Sequence, residues 1–177
     1  MKRLRPWLRI GLGAAVLLPV GAWAWTSLPI GSDDVLTLPP VDRLVVDKSE
    51  RTLQAWSNGQ LVHTFTEIQL GDAPEGHKQF EGDERTPEGR YTIDYRNPQS
   101  AYHLSLHISY PDAAAVAAAR AVGRSPGGAI FIHGQPNALP FGRVPGDWTD
   151  GCIALANQEI EALWDAVPDG TEIEILP

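Results

Sequence analysis

Residues 90–110 read RYTIDYRNPQSAYHLSLHISY, and apolar and polar residues alternate in two stretches of this segment. The first stretch covers residues 90–96 and the second covers residues 101–110. Alternation with a period of two places successive side chains on opposite faces of a β-strand. We therefore expect two strands, each with one face in a core. The residues on those faces are Tyr91, Ile93 and Tyr95 in the first strand and Tyr102, Leu104, Leu106, Ile108 and Tyr110 in the second.

Outward from this segment, the pattern predicts further strands and two helices. Asn58-Gly59 suits a two-residue hairpin turn between two of the strands. Asp112 is a candidate N-cap for an alanine-rich helix that ends at Gly123, and Asn157 is a candidate N-cap for a second helix. The further strand-like runs cover residues 43–48, 52–57, 60–70, 129–133 and 171–176. Because strands outnumber helices, we expect a β-rich α+β domain.

The N-terminus differs in composition from the rest of the chain. An uncharged apolar run over residues 10–25 follows four basic residues, Lys2, Arg3, Arg5 and Arg9. This layout is typical of a signal peptide or of a signal-anchor in the inner membrane, so residues 1–25 are predicted to direct export. Residues 26–40 are predicted to be a linker and residues 41–177 one exported domain. The formal net charge of −8 makes nucleic acid an unfavourable partner.

The chain has one cysteine, Cys152. Structural cysteines of exported proteins come in pairs, so a single one is either buried and inert or reactive. Cys152 stands in a predicted turn, residues 148–153 (WTDGCI), and His133 ends the buried run at residues 130–134 (IFIHG). A histidine within hydrogen-bond reach can activate a thiol as general base. From these residues alone, a catalytic pair and a core histidine with an inert thiol both remain open.

The glycine before the cysteine adds a second possible contribution to catalysis. Gly151 lets the backbone turn tightly, and its N–H, together with that of Cys152, is a candidate to bind a developing oxyanion.

The pattern His133-Gly134, a spacer and then Thr149-Asp150-Gly151-Cys152-Ile153 resembles the signature of the YkuD-type L,D-transpeptidases. That signature is a His-Gly pair, a loop and then Ser/Thr-His-Gly-Cys. Residues 81–91 (EGDERTPEGRY) resemble the Thr-Pro-x-Gly-x-aromatic element of the same family, and residues 106–111 and 123–128 resemble its YafK-related branch. The resemblance covers roughly residues 42–176 and implies a sandwich-like or barrel-like catalytic fold.

The resemblance also implies a reaction. Cys152 would attack the carbonyl between the diamino acid and the D-alanine of a peptidoglycan stem tetrapeptide, with His133 as base and the Gly134 carbonyl orienting the imidazole. The thioester would pass to another stem's side chain, an envelope lipoprotein's lysine or a free D-amino acid. The family implies no metal and no organic cofactor. The predicted export segment would place the domain on the periplasmic side of the cell envelope. A hydrolase or amidase of the same fold and a non-catalytic wall-binding module are the alternatives.

Two positions depart from the family pattern. Asp150, grouped here with the orienting residues, stands where the wider family has histidine. Ala154 stands where the family often has an arginine that helps to hold the substrate. The mode of binding the donor's carboxylate is therefore expected to differ.

Four residues are candidates for substrate binding. Arg124 and Arg85 could pair with a carboxylate, since a guanidinium binds it through two hydrogen bonds. Trp148 is expected to line the cleft or to pack under the nucleophile, and His107 to lie near the mouth of the cleft. His107 with His103 on a shared strand face is an alternative metal-ligand pair, although no third ligand follows at a suitable spacing.

Overall fold

The computed structural model of the protein describes residues 35–139 and 141–177. The predicted export segment, residues 1–25, and the first part of the predicted linker lie outside the described residues. The described part contains eight strands and two helices: β1 (Arg43–Asp47), β2 (Thr52–Ser57), β3 (Gln60–Thr66), β4 (Gly89–Asn97), β5 (Ser105–Ile108), α1 (Ala113–Ala121), β6 (Phe131–His133), β7 (Ile153–Ala154), α2 (Asn157–Ala166) and β8 (Glu172–Leu176). Within these residues, no helix has the length and apolar character needed to span a membrane.

The eight strands form one sheet in the order β3-β2-β1-β8-β4-β5-β6-β7. The β1–β8 and β6–β7 pairs are parallel, and the other neighbouring pairs are antiparallel. Two isolated bridges, Gln69 with Ala154 and Gly71 with Thr149, join the chain after β3 to β7 and to the loop before it. Since β3 and β7 are the two edges of the sheet, these bridges curl it into a half-barrel. The expected β-rich α+β fold with two helices is confirmed.

The core is built from alternate positions of the central strands. Leu44 and Val46 of β1 and Ile173 and Ile175 of β8 are at most 1% exposed. Removing each such side chain from water contributes roughly 2 kcal/mol. On α2 the buried residues are Ile160, Ala162, Leu163 and Ala166. The buried residues therefore alternate along both β1 and β8.

Single residues set several turns and helix ends as expected. Asn58 and Gly59 have φ values of +50° and +76°, as a two-residue hairpin turn between β2 and β3 requires. The Asp112 side chain caps α1 by accepting the N–H of Ala115 at 2.7 Å. Gly123, just after α1, has a φ of +70°, which suits the end of a helix.

The N-cap predicted for α2 was wrong. The capping position is Ala156, and Asn157 is the first residue of the helix. The Asn157 side chain instead accepts the N–H of Gln135 at 2.8 Å and so fixes the loop after β6. Glu159 accepts the N–H of Ala156 at 2.8 Å.

The strand predicted over residues 101–110 is shorter than expected. It is confined to β5, because residues 101–104 form turns and bends and His103 has a φ of +67°. Tyr95 also departs from the prediction, since it is 45% exposed rather than buried. The pairing of β4 with β5 shifts register between Ile93 and Tyr95, and such an irregularity re-aims the following side chain.

Candidate active site

β6 and β7 bring His133 and Cys152 into one cleft. The strands are parallel with His133 opposite Ala154, so Cys152 lies beside Phe131 and two residues short of His133. One strand spacing across and two residues along correspond to about 8 Å between Cα atoms, a gap that an imidazole and a thiol can bridge. Both side chains line a cleft of about 720 Å³. The structure thus places both predicted residues on the wall of one cleft.

His133 is held in one orientation by its neighbours. It is 3% exposed, its Nδ1 lies 2.7 Å from the Gly134 carbonyl oxygen, and its ring stacks on Tyr102 with 4.6 Å between centroids. Trp148 contacts the ring edge-on at 5.6 Å. Because a carbonyl only accepts, Nδ1 carries the proton and Nε2 keeps a lone pair. Burial lowers the pKa of His133, while the hydrogen bond to Gly134 acts in the opposite direction. The imidazole is therefore neutral at pH 7 and able to take up a proton.

Cys152 is half-buried and protonated at neutral pH. Burial raises the pKa of its thiol to about 11, and the Asp150 carboxylate acts in the same direction. The N–H of Phe131, 3.4 Å from the sulfur, and the charge of Lys78 oppose the rise in pKa. The thiol also approaches the carbonyl oxygen of Ala129 at 3.6 Å. A thiolate–imidazolium ion pair is therefore not the resting state, and attack by the sulfur requires proton removal in the same step.

The turn before the cysteine depends on glycine. Thr149 Oγ1 donates to the Cys152 carbonyl at 2.8 Å and accepts the N–H of Gly151 at 3.2 Å. Gly151 has a φ of +121°, and a Cβ there would lie 2.4 Å from the Arg85 carbonyl oxygen. Only glycine fits this position. The Gly151 N–H, a predicted oxyanion donor, is already used within the turn in the free protein.

Of the four predicted substrate-binding residues, Trp148 lines the cleft, and so does the predicted orienting residue Asp150. Arg124 lies elsewhere: its guanidinium sits 4.1 Å over the Phe80 ring and donates to the Glu81 carbonyl at 3.3 Å. Arg85 is not among the lining residues either, and it touches the site through its carbonyl oxygen at Gly151.

His107 lies one side chain behind the cleft wall. Its ring packs 4.8 Å from that of Phe131, which does line the cleft. His107 was expected near the mouth of the cleft, but the Phe131 side chain lies between His107 and the cleft.

A buried lysine also borders the cleft. Lys78 is 3% exposed, donates to Asp83 Oδ1 at 2.8 Å and is the only lysine or arginine among the described residues that line the cleft. Asp83 also accepts the N–H groups of Gln79, Phe80 and Arg85. Although burial opposes it, the hydrogen bonds from Lys78 and these backbone groups lower the pKa of Asp83. The Lys78–Asp83 pair therefore holds this loop together and places a basic group at the cleft.

His103 and His107 do not share a strand face as expected. His103 lies in a turn, not on β5, and pairs with Glu161 at 2.6 Å, whereas His107 pairs with Asp94 at 2.6 Å. Within residues 35–139 and 141–177, no three His, Cys, Asp or Glu side chains are grouped to hold a metal ion.

Comparison with known proteins identifies a family whose model matches this chain. The model of the YkuD family, described as the L,D-transpeptidase catalytic domain, matches residues 41–175. A Bacillus licheniformis protein named as the L,D-transpeptidase YkuD is 26% identical over 140 residues, which cover 76% of this chain and 66% of that protein.

Two solved structures are similar in fold and sequence. The helical cell shape determining protein Pgp2 of Campylobacter jejuni is 26% identical, with a TM-score of 0.59 over 81% of this chain and 51% of that one. Bd1075 of Bdellovibrio bacteriovorus is 26% identical, with a TM-score of 0.55 over 77% of this chain and 48% of that one. The chain thus spans about half the length of these structures and 66% of the curated relative.

Proposed function

Because the chain belongs to the YkuD family of L,D-transpeptidase catalytic domains, we propose that it is a cysteine-dependent L,D-transpeptidase of bacterial peptidoglycan. The family acts on peptidoglycan stem peptides in the cell envelope. The observation that carries the proposal is the cleft shared by the Cys152 thiol and the neutral, oriented imidazole of His133. Similarity to Pgp2, a protein named for determining cell shape, supports a role in the architecture of the wall.

In the first half-reaction, Cys152 attacks the carbonyl between the stem's diamino acid and its D-alanine. His133 Nε2 takes the thiol proton as the sulfur–carbon bond forms, which a thiol of pKa about 11 requires. The Cys152 N–H is the donor assigned to the oxyanion, and the Gly151 N–H joins it only by leaving Thr149. The imidazolium then gives its proton to the departing amine of D-alanine, which leaves a thioester on Cys152.

In the second half-reaction, an amine attacks the thioester and His133 accepts its proton. Collapse of the intermediate returns that proton to the Cys152 sulfur. The amine belongs to another stem, an envelope lipoprotein or a free D-amino acid. Asp150 and Glu81 line the cleft and favour a cationic acceptor over an anionic one.

Lys78 is our assignment for the group that holds the donor's terminal carboxylate. Ala154, where the family often has arginine, is fully buried and offers no charge. The ammonium of Lys78 has three N–H donors, and the structure gives it one partner among the described residues, Asp83. The free donors and the position on the cleft wall support this role.

Hydrolysis of the same thioester is the second candidate function. The observation that favours it is the exposed Asp150 carboxylate at the cleft, which could orient a water molecule. Such an enzyme would trim stems or cut a lipoprotein from the wall on the periplasmic side. If the N-terminal segment is retained, it anchors either enzyme to the inner membrane.

Product analysis separates the two functions. The protein is incubated with disaccharide-tetrapeptide, with and without an added D-amino acid, and the products are identified by liquid chromatography and mass spectrometry. Transfer predicts 3-3 cross-linked dimers or exchanged tetrapeptides, and hydrolysis predicts tripeptides alone. Asp150→Asn shifts the products toward transfer if Asp150 activates water. Release of no D-alanine by a folded protein would leave either an enzyme that cuts only the lipoprotein link or the non-catalytic wall-binding module.

A further inference from the structure

A row of aromatic side chains leads from the proposed nucleophile across the sheet. Tyr95 of β4 pairs with His107 of β5, and His107 pairs with Phe131 of β6. The N–H of Phe131 lies 3.4 Å from the Cys152 sulfur, so Cys152 continues the row toward β7. We call Tyr95, His107 and Phe131 the aromatic shelf.

The shelf is packed as a unit whose outer member is open to solvent. The Tyr95 and His107 rings stack with 4.4 Å between centroids and 18° between planes. Phe131 meets His107 edge-on at 4.8 Å and Tyr95 edge-on at 5.9 Å. Tyr95 is 45% exposed, and the stacked His107 ring covers one of its two faces. Packing therefore holds a flat aromatic surface in place without covering it.

The shelf and the cleft lie on one face of the sheet. In the next cross-strand row, Asn97 pairs with Ser105, and Ser105 pairs with His133. All three of these residues line the cleft, as does Phe131. A ligand seated in the cleft can therefore continue onto the shelf without crossing an edge of the fold.

We propose that the aromatic shelf binds the amino sugar that carries the donor stem peptide, an inference that rests on the proposed function. One face of a pyranose ring presents C–H groups with partial positive charge, which suit the negative π face of an aromatic ring. Its hydroxyl and acetamido groups need polar partners at the margin. The Asp94 carboxylate, which holds His107 Nδ1 at 2.6 Å and is 42% exposed, and the amide of Asn97 supply them.

The distance from Tyr95 to Cys152 agrees with the length of the stem peptide in this binding mode. Three strand spacings separate Tyr95 from Cys152, or about 14 Å. In an extended stem, three residues lie between the sugar and the carbonyl that Cys152 attacks, or about 10 Å of chain. The sugar ring follows that chain, which places it over His107 and Tyr95 and leaves the cleft to the peptide.

Two donor substrates test the subsite: disaccharide-tetrapeptide and the same tetrapeptide without sugar. The measurement is kcat/KM for D-alanine release by the full chain. We expect the wild type to prefer the disaccharide form by about five- to tenfold, the range for one well-placed aromatic contact. Tyr95→Ala should bring this preference close to one, and Tyr95→Phe should keep it. Phe141→Ala, which removes an aromatic residue that is 90% exposed and not part of the cleft, is the control and should also keep it.

Either of two results would overturn the subsite. In one, the wild type shows no preference for the sugar-bearing donor. In the other, Tyr95→Ala lowers the rates on both donors by the same factor, which would mean that Tyr95 merely supports the catalytic strands.

A binding measurement separates failure of the subsite from failure of the proposed function. The peptide-free disaccharide of N-acetylglucosamine and N-acetylmuramic acid is titrated into the full chain and followed by NMR. The inference predicts binding that Tyr95→Ala weakens about fivefold or more and Phe141→Ala leaves unchanged, even if no D-alanine is ever released. No binding by the wild type counts against the subsite, whatever the enzyme assay gives.

Discussion

At Cys152, burial outweighs the groups that favour a thiolate. The Phe131 N–H and the Lys78 charge both lower the pKa of the thiol, yet it rises to about 11. The neighbouring imidazole is buried as well, and its pKa moves down. Both shifts favour the neutral forms, so in the proposed mechanism His133 acts as a general base toward a thiol and not as the partner of a thiolate.

The pH dependence of alkylation tests this state. We expect the rate of Cys152 alkylation by iodoacetamide to rise about tenfold per pH unit between about pH 6 and pH 10, because only the thiolate reacts and its fraction grows up to the thiol pKa. Stem acylation should instead lose rate only below about pH 6.5, as His133 becomes protonated through its lowered pKa. A neutral-pH plateau in the alkylation rate would reveal an ion pair and contradict the mechanism.

Lys78→Met tests the carboxylate assignment. We expect KM for a tetrapeptide with a free C-terminal carboxylate to rise about tenfold or more, the value of one charge-assisted hydrogen bond. For a tetrapeptide with a C-terminal amide, the same variant should have the KM of the wild type. The change leaves the carboxylate of Asp83, which is 6% exposed, without its ion-pair partner. The double variant Lys78→Met/Asp83→Asn removes that unpaired charge and is therefore the matched control for stability. Equal losses on the acid and the amide would remove Lys78 from substrate binding.

The roles of individual residues were predictable only where a chemical group is rare in the chain. The single cysteine and the histidine that ends the buried run could be identified as candidate catalytic residues from the sequence alone. Arg124 and Arg85 were chosen for their chemistry, but the cleft wall is formed by whichever loop residues the fold brings there. Lys78 reaches it because its ammonium is anchored by Asp83, a contact that no periodic pattern encodes.

At the scale of elements, the turn from Thr149 to Cys152 fixes the position of the Cys152 sulfur relative to the rest of the fold. Its threonine closes the turn by hydrogen bonds, and its glycine lets the backbone pass the Arg85 carbonyl. That carbonyl belongs to the loop before β4, so the residue just before Thr86-Pro87 lies against the turn of the proposed nucleophile.

Gly151→Ala should damage both stability and activity. The new Cβ would lie 2.4 Å from the Arg85 oxygen at a φ of +121°, which we expect to cost about 3 kcal/mol in the free energy of unfolding. This corresponds to a fall of about 6–12 °C in Tm, measured by thermal denaturation. Gly59→Ala, at a φ of +76° with no atom within 4 Å of the added Cβ, should cost only about 1 kcal/mol. Equal melting temperatures for the two variants would disprove the close approach.

Elements were predictable where one local signal acts alone. Asp112 and Asn58-Gly59 behave as expected because cap and turn geometry depend on adjacent residues. Asn157 does not, because a long-range partner, the Gln135 N–H, takes its side chain. Tyr95 leaves the buried face for a similar reason, since the register shift arises from pairing with β5.

At the scale of the molecule, closure of the half-barrel brings the site together. Gln69 pairs through its backbone with Ala154, and its side chain accepts from Gln135 at 3.0 Å. Gln135 also donates to the Leu155 carbonyl at 2.8 Å and accepts the N–H of Val144 at 2.9 Å. These buried amides tie the chain after β3, the loop before the cysteine and β7 to one another. Alternation in the sequence predicted the strands, but strand order depends on such distant contacts.

The most direct test of the central claim is the intact mass of the protein after brief exposure to disaccharide-tetrapeptide. We predict an adduct equal to the substrate minus D-alanine, mapped to Cys152 by peptide fragmentation. It should be absent in Cys152→Ala and form about a hundredfold or more slowly in His133→Ala, since a positioned general base contributes about 10²–10⁴ in rate. An adduct on another residue, or none with a folded wild-type protein, would contradict the assignment of Cys152 and His133 as a catalytic pair.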